Sequence, residues 1–293
     1  MDTVNHSPLR YPGGKAKIAP LVKLIVKNLL FSEVTYIEPF AGGAGIALDL
    51  LLEGVAERVI INDSDKAIYS FWRTLKEKPQ ALVKFIQDVP LTVEEWHKQR
   101  QIYLTQNARY SVELGLSAFY LNRTNRSGIL SAGPIGGYEQ KGEYKIGARF
   151  NRESLIDRVQ NIAAHRKRIS VFNKDIRSFL RVVMPQYGEK SFAYFDPPYY
   201  INGQRLYKNA LSASDHAIIA RIISEEVKCP WIITYDSVPK LEELYSLYPQ
   251  KHYSLNYSAA NKGKGIELII FKSEHLIPTE ESIRNCMKNF QLV

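Results

Sequence analysis

The sequence predicts an α/β fold in which a mostly parallel sheet is covered by helices and interrupted by an inserted domain. Short β-branched and aromatic segments, each bounded by turn residues or acids, recur at 34–40, 58–63, 170–173, 191–196 and 231–236. Helical patterns such as 46–52 and 214–227 separate several of them, as in a parallel sheet with crossover helices. Between 71 and 169 this alternation stops. Because 293 residues also exceed the usual size of one compact domain, we expect a second, inserted unit there.

Both ends of the chain fit this scheme. Apolar residues at helical spacing over 15–30 predict an amphipathic helix, with which Pro20 is compatible only in the first turn. Near the other end, a polar turn at 259–264 joins the segments 251–257 and 265–271. This pattern predicts a β-hairpin that closes one edge of the sheet.

The break in the alternation divides the chain into three parts. Residues 1–70 and 170–293 are expected to form the two halves of one α/β domain, and residues 71–169 to form the insert. The insert begins with helical patterns. Frequent glycines between 128 and 147 then predict loops and a hairpin rather than packed helix.

Charge and composition narrow the class of protein. The formal net charge of +9 favours a polyanionic partner, because each phosphate that Lys or Arg neutralises releases a condensed counterion. Cys229 and Cys286 match no metal-ligand spacing and are too few for a disulfide framework, so we expect a cytoplasmic protein without a metal site. No uncharged segment is long enough to span a bilayer, so no membrane anchor is expected.

The strongest single motif is Asp196-Pro197-Pro198-Tyr199, which directly follows an apolar segment. An acid at a strand end followed by two prolines gives a rigid loop whose carbonyls stay outside helical hydrogen bonding. The carboxylate and a prolyl carbonyl can then accept both N–H bonds of a planar exocyclic amine, such as N6 of adenine. Tyr199 is expected to stack on the base, which must first leave the duplex. The alternative is a rigid turn with an incidental acid.

A second motif runs from Glu38 to Gly45 and reads Glu-Pro-Phe-Ala-Gly-Gly-Ala-Gly. Its glycines let the backbone approach a ligand closely, but their spacing differs from the G-x-G-x-x-G of dinucleotide sites. Asp63, at the end of the next strand, is placed to bind ribose hydroxyls. Asp175 either accepts from the adenine amine of a cofactor or caps a helix.

The order of three motifs resembles one known family. Arg10-Tyr-Pro-Gly-Gly-Lys15 comes first, the glycine-rich 38–45 second and the 196–199 motif last, with the insert between the second and the third. This pattern spans nearly the whole chain and resembles the Dam-like (D12 class) adenine-N6 DNA methyltransferases. The resemblance implies a Rossmann-like sheet of seven mostly parallel strands, with S-adenosylmethionine in the crevice. It also implies that 71–169 is a target-recognition domain and that the enzyme methylates specific sites in double-stranded DNA.

The resemblance further implies roles for single residues. The expected catalytic residues are Asp196, Pro197, Pro198 and Tyr199, and the expected cofactor-binding residues are Tyr11, Lys15, Glu38, Phe40, Gly42, Gly45, Asp63, Asp175 and Asp196. Tyr11 stands where the family commonly has Trp, which preserves stacking. The segment 127–150 differs from that of the GATC-methylating members, so a GATC target is not predicted. For 215–216 and 235–237, a functional role and plain capping or sheet-edge polarity both stay open.

Basic residues are concentrated in the second half of the insert. From 121 to 170 the chain has ten basic residues, Arg123, Arg126, Lys141, Lys145, Arg149, Arg152, Arg158, Arg166, Lys167 and Arg168, against four acids, Glu139, Glu143, Glu153 and Asp157. Such groups neutralise phosphates, and Arg can also pair with guanine. The residues expected to face DNA are Arg123, Asn125, Arg126 and Tyr138.

Three other functions remain to be separated from this one. The same acceptors suit an RNA adenine-N6 or a DNA cytosine-N4 methyltransferase. A DNA-binding protein that keeps the fold without turnover is a second alternative, and a nicotinamide oxidoreductase is a third. Cognate restriction or defence proteins are possible partners.

Overall fold

The computed structural model describes residues 6–10, 18–106, 108–200, 211–256, 264–287, 290 and 292. Within them a seven-stranded sheet forms the centre of the molecule, with strand order β3-β2-β1-β4-β5-β7-β6. The strands are β1 (Thr35–Glu38), β2 (Arg58–Asn62), β3 (Ile169–Phe172), β4 (Ser191–Phe195), β5 (Trp231–Asp236), β6 (Gln250–Asn256) and β7 (Lys264–Phe271). The first five are parallel, and β7 runs antiparallel to both β5 and β6. The predicted strands and the edge hairpin are confirmed, while most of the hairpin's turn lies outside the described residues.

Helices connect the strands and form the insert. They are α1 (Ala19–Asn28), α2 (Gly45–Leu52), α3 (Lys66–Glu77), α4 (Pro79–Asp88), α5 (Val93–Thr105), α6 (Val112–Thr124), α7 (Arg152–Ala164), α8 (Ile176–Ser178), α9 (Ala213–Glu226), α10 (Pro239–Leu244) and α11 (Glu280–Cys286). Pro20 occupies the first turn of α1, where its missing N–H costs no helical hydrogen bond. No helix in the described part of the chain is long and apolar enough to cross a bilayer.

The sheet is buried on both faces. All five residues of β4 are buried, and they alternate between two hydrophobic clusters: Phe192 and Tyr194 belong to one, Ala193 and Phe195 to the other. A strand covered by helices on both sides must be apolar at every position, which explains why this segment reads as a continuous apolar run. In β4 the polar residues Ser191 and Asp196 therefore stand at the first position of the strand and directly after its last.

The strand order reverses between β1 and β4. From β1 the chain continues outward to β2 and β3, and after β3 it returns to place β4 on the other side of β1. Ligands of open α/β sheets bind at such a switch point, outside the carboxyl ends of the strands. The motifs at 38–45 and 196–199 follow directly after these two strands, so the fold brings both to this point.

The insert is helical, and the helices α3 and α6 meet at very close range. A Cβ atom on Gly115 in α6 would lie 2.4 Å from Oγ1 of Thr74 and 2.5 Å from the carbonyl oxygen of Ser70 in α3, so only glycine fits there. The boundary expected at residue 71 falls inside α3, which packs on α6 of the insert and also contacts β3 of the sheet.

The hairpin expected between 127 and 150 is not formed. The described residues of this segment are turns, two 3-10 turns (Arg126–Gly128 and Ile146–Arg149) and one isolated antiparallel bridge between Asn125 and Pro134. Three positive-φ glycines in this segment, Gly128, Gly136 and Gly137, interrupt any extended ladder.

Candidate active site

Asp196 lies directly after β4, and its carboxylate is held in place from β5. Thr234 donates a hydrogen bond from Oγ1 to Oδ1 of Asp196 at 3.1 Å, and the Tyr194 hydroxyl lies 2.8 Å from the same Thr234 oxygen. Asp196 is half-buried, whereas Tyr194 and Thr234 are fully buried. Thr234 therefore fixes one carboxylate oxygen, and the carboxylate has a single preferred orientation at the mouth of the switch point.

The two residues after the prolines are also held by the neighbouring strands. Tyr199 donates its hydroxyl hydrogen bond to Oε1 of Glu267 at 2.9 Å, and the backbone N–H of Tyr200 donates to Oδ1 of Asp236 at 2.9 Å. Pro197 is buried, while Pro198 and Tyr199 are half-buried. The predicted catalytic loop is thus a rigid segment with defined contacts.

Glu38 is a buried acid at the end of β1. Its Oε2 accepts a hydrogen bond from the backbone N–H of Ala47 in the first turn of α2 at 3.2 Å. The pKa of Glu38 is raised to about 8. Burial is the largest cause, and the negative charge of Asp196 is the second. The influence of Asp196 on this pKa means that the two strand-end acids lie within electrostatic range of each other. The structure therefore brings together the two motifs that are 158 residues apart in sequence.

The glycine-rich loop between β1 and α2 is tightly wound. Gly42 and Ala44 both have left-handed backbone angles, with φ of +45° and +47°. The Trp72 indole N–H donates to the Gly42 carbonyl at 2.9 Å, and the Ser7 hydroxyl donates to the Gly43 carbonyl at 2.5 Å. A Cβ atom on Gly45 would meet no atom within 4 Å, so there is open space beside the start of α2.

Phe40 begins this loop and is half-buried, packed against the cluster that contains Ile37 and Phe195. It supports the loop from one side of the sheet and leaves part of its ring accessible. This position is compatible with a contact between the Phe40 ring and a bound ligand.

Asp63 braces the glycine loop. Its Oδ2 accepts the backbone N–H of Gly42 at 2.9 Å, and its Oδ1 accepts that of Asp65 at 2.8 Å. Burial, followed by the charge of Asp65, raises the pKa of Asp63 to about 7. Each carboxylate oxygen has a further lone pair, so the predicted contact with ribose hydroxyls is compatible with these hydrogen bonds.

The remaining predicted cofactor contacts have different outcomes. Asp175 is exposed and accepts the backbone N–H of Arg177 at 3.1 Å, so it caps α8, the structural alternative considered from the sequence. Tyr11 and Lys15 lie outside the described residues. No group of three potential metal-binding side chains occurs among the residues that the structure describes.

Arg123 lies in a cluster of cations at the end of α6. Its pKa is lowered to about 9. Burial is the largest cause, and the positive charges of Arg10, Arg158 and Arg149 lower the pKa further. Its Nε atom is buried without a hydrogen-bond partner. Arg10 and Arg158 use part of their donors on the backbone carbonyls of Asn125 and Ser7. The cluster carries a strong positive potential.

Arg126 and Tyr138 lie together on the surface of the insert. A Cβ atom on Gly133 would be 3.3 Å from an Arg126 guanidinium nitrogen and 3.5 Å from the Tyr138 hydroxyl. Arg126 is exposed, and Tyr138 is 57% exposed while its ring stacks on His97 at 5.8 Å between centroids. Both side chains are placed to meet a partner.

Asn125 is wrongly predicted as a residue that faces DNA. It is 0% exposed, and all of its amide groups are used inside the protein. Its Oδ1 accepts the Trp96 indole N–H at 2.6 Å, and its Nδ2 donates to the carbonyls of Ile129 and Leu130. The amide ties Trp96 of α5 to the loop after α6, so its role is inside the protein.

The two segments left open by the sequence have defined contacts. Asp215 forms a reciprocal capping box with Ser212 at the start of α9. His216 is buried, and its Nδ1 lies 3.0 Å from the Tyr235 hydroxyl. Asp236, by contrast, holds the catalytic loop through Tyr200.

Sequence reasoning missed Thr234 and Glu267. Both lie within strands, and neither belongs to a loop motif, so only the pairing of β5 with β4 and β7 places them beside the 196–199 loop. The one available signal was Glu267 itself, a charged residue between the apolar Ile266 and Leu268.

These features together define an amino-group methyltransferase: a glycine-rich loop and an Asp-Pro-Pro-Tyr loop face each other at the switch point of a seven-stranded α/β sheet. The family is shown by comparison with known proteins. The chain belongs to the D12 class N6 adenine-specific DNA methyltransferases, whose family model matches residues 11–259. It is therefore an adenine-specific DNA methyltransferase.

Curated relatives carry related names. The chain is 25% identical over 207 residues to the type II methyltransferase M.MjaIII of Methanocaldococcus jannaschii, covering 65% of this chain and 68% of that protein. It is 20% identical over 209 residues to the type II methyltransferase M1.LlaDCHI of Lactococcus lactis subsp. cremoris, covering 67% and 66%. Among solved structures, the rRNA methyltransferase aviRa of Streptomyces viridochromogenes has a TM-score of 0.44 and 13% identity, over 94% of this chain and 95% of its own.

Proposed function

We propose that the enzyme transfers the methyl group of S-adenosylmethionine to N6 of an adenine flipped out of double-stranded DNA, and that Asp196 and a carbonyl of the following prolines hold the amine. The observation that carries this proposal is the oriented carboxylate of Asp196, which Thr234 holds at the end of β4, within electrostatic range of Glu38 at the end of β1. Acids with raised pKa values at a switch point favour a functional site over a structural ion pair.

The chemistry requires acceptors for both N–H bonds of the amine. The lone pair of N6 is delocalised into the ring, so the free amine is a poor nucleophile. Hydrogen bonds to Asp196 and to a prolyl carbonyl favour a pyramidal nitrogen whose lone pair points at the methyl carbon. Transfer would form an N–C bond as the S–C bond of the cofactor breaks and its sulfur becomes a neutral thioether. The Asp196 carboxylate would stabilise the positive charge on the nitrogen until one N6 proton passes to water.

The glycine-rich loop fits the cofactor. Bound S-adenosylmethionine supplies an activated methyl group on a positively charged sulfur. The open space beside Gly45 admits a ligand close to the backbone, and Glu38 and Asp63 provide acidic groups around it. Asp63 would hold ribose hydroxyls, and Phe40, Tyr11 and Lys15 are proposed as further contacts.

The insert is proposed to bind the DNA. Arg10, Arg149 and Arg158 lie within electrostatic range of Arg123, and a DNA phosphate has the charge that relieves the repulsion among these cations. Arg126 and Tyr138 extend this surface. Residues 71–169, including most of α3, are therefore proposed as the target-recognition domain, between the two halves of the catalytic domain at 1–70 and 170–293.

The names of the relatives support two further points. Because both are called type II methyltransferases, we propose that this enzyme protects specific sites and works beside a cognate restriction or defence nuclease. We also propose that the enzyme is cytoplasmic, because its substrate is DNA.

The test is to identify the methylated base. Purified protein is incubated with deuterium-labelled S-adenosylmethionine and unmethylated DNA or RNA, and the digested nucleosides are separated by mass spectrometry. We expect labelled N6-methyladenine from duplex DNA. Label found only in N4-methylcytosine, or only in RNA, would refute the proposal in favour of the corresponding alternative.

A further inference from the structure

Glu267 is a buried carboxylate that contacts the catalytic loop. It lies in β7, is only 3% exposed, and accepts hydrogen bonds from two tyrosine hydroxyls. Tyr199 of the loop donates to Oε1 at 2.9 Å, and Tyr253 of β6 donates to Oε2 at 2.6 Å. Each carboxylate oxygen thus holds one aromatic side chain.

The position of Glu267 follows from the register of the sheet. Glu267 lies directly opposite Asp236 of β5 and Tyr253 of β6, so the three side chains form a row on one face of the sheet. Asp236 holds the backbone of Tyr200 and Glu267 holds the side chain of Tyr199. Two successive residues of the loop are therefore tied to two neighbouring strands.

This arrangement is costly if it serves only stability. Burying a carboxylate in a sheet costs free energy, and well-packed apolar residues of similar volume are often as stable or more stable. The ring of Tyr199 is half-buried, so part of its surface is accessible. A hydrogen bond at the end of that ring restricts the rotation of the side chain and fixes the direction in which the accessible part points.

We infer that Glu267 is a positioning residue: through the Tyr199 hydroxyl it fixes the ring against which the target base stacks. The inference rests on the proposed function, because it needs a base in the cleft. Glu267 acts through Tyr199 and does not touch the base. Its loss should slow methyl transfer after DNA and cofactor have bound, since misplacing a stacking group disturbs the geometry of the amine.

The experiment is a double-mutant cycle between Glu267 and Tyr199. Single-turnover methyl transfer is measured for the wild type, E267L, Y199F and the double variant, with a saturating cofactor. We expect E267L and Y199F each to slow the reaction about tenfold, and the double variant to be slowed no more than about twofold further, because both changes remove the same hydrogen bond.

Two controls separate positioning from core packing. Y253F removes the other hydrogen bond of Glu267 and should leave the rate within about twofold of the wild type. E267Q has a side chain of the same shape and keeps one acceptor oxygen, so its rate of methyl transfer should be close to that of the wild type. Cofactor affinity, measured by calorimetry, should be unchanged in all variants, whereas a damaged core would lower it together with the melting temperature.

The inference fails if the E267L and Y199F effects multiply to about 100-fold, or if Y253F slows the reaction as much as E267L does. If E267L does not fold, Y199F still tests the inference, because it keeps the ring and removes only the hydroxyl. A wild-type rate of methyl transfer for Y199F overturns the inference. The cycle is measured on whichever base the wild type methylates. A product other than N6-methyladenine therefore refutes the proposed adenine reaction, while the coupling is read independently.

Discussion

The strand-end cleft and the basic segment of the insert use polar residues in opposite ways. In the cleft, polar residues that follow neighbouring strands converge on one point, and each has a defined partner: Thr234 for Asp196, the Ala47 N–H for Glu38 and the Gly42 N–H for Asp63. In the insert, neighbouring residues point in different directions. Asn125 is buried and Arg126 is exposed, although they are adjacent in sequence.

The difference reflects how each region is built. Parallel strands end at the same edge of a sheet, so a residue that follows a strand is placed by the fold itself. The loop after α6 has no such rule. It must pair its own backbone groups, and it uses polar side chains such as Asn122 and Asn125 to do so. Polar composition therefore indicates a site in the cleft but not in the loop.

Asp196→Ala should have the largest effect on activity. Loss of the carboxylate removes a hydrogen-bond acceptor whose interaction with the amine is stronger in the transition state. The rate of methyl transfer should therefore fall by about 1,000-fold or more. Cofactor affinity should stay within about tenfold, or about 1.4 kcal/mol. Single-turnover assays and calorimetry measure the two quantities. Asp215→Asn, which alters an acid that caps α9 and pairs with Arg177, is the matched control and should remain active.

Asn125→Ala should destabilise the protein by about 2 kcal/mol, because it leaves the buried Trp96 indole N–H without its acceptor, whereas the Ile129 and Leu130 carbonyls keep the Ala132 N–H and Arg100 as donors. Denaturant unfolding measures this change. Asn161→Ala, at an exposed position of α7, should change stability by less than about 0.5 kcal/mol. Equal, small effects for the two variants would contradict the structural role of Asn125.

Glu38→Gln should change how stability depends on pH. The pKa of Glu38 is about 8 in the folded protein against 4.5 ordinarily, so the unfolded chain binds fewer protons between these values. Stability must therefore fall as the pH rises from 4.5 to 8, by at most about 1.4 kcal/mol per pH unit from this group. Asp63 adds a fall in the same direction up to about pH 7. The variant should show a shallower fall in unfolding experiments across this range; an unchanged slope would show that Glu38 is ionised in the folded state.

Arg126→Ala should have the smallest effect. Removing one exposed cation that meets DNA should weaken binding about tenfold and reduce the slope of log affinity against log salt by about 0.9. The melting temperature should not change. Lys84→Ala, which removes an exposed charge on α4, is the control; if it weakens binding as much as Arg126→Ala does, the surface around Arg126 is not the DNA contact.

The sequence predicts the fold, and the position of three acids at strand ends, for the same physical reason. A strand covered on both faces is continuously apolar, so the acid at its end stands out, as Asp196, Glu38 and Asp63 do. Thr234 and Glu267 were missed because their roles depend on which strands become neighbours, which no local pattern contains. The predicted hairpin at 127–150 was wrong because glycines there form successive turns.

A crystal structure of the enzyme with sinefungin and a duplex that carries its methylation site would test the central claim most directly. The account predicts an adenine outside the helix, with its N6 atom within about 3.2 Å of a carboxylate oxygen of Asp196 and of a prolyl carbonyl, and its ring against Tyr199. A target base that binds elsewhere, or an Asp196 carboxylate that does not contact N6 of the target adenine, would contradict it.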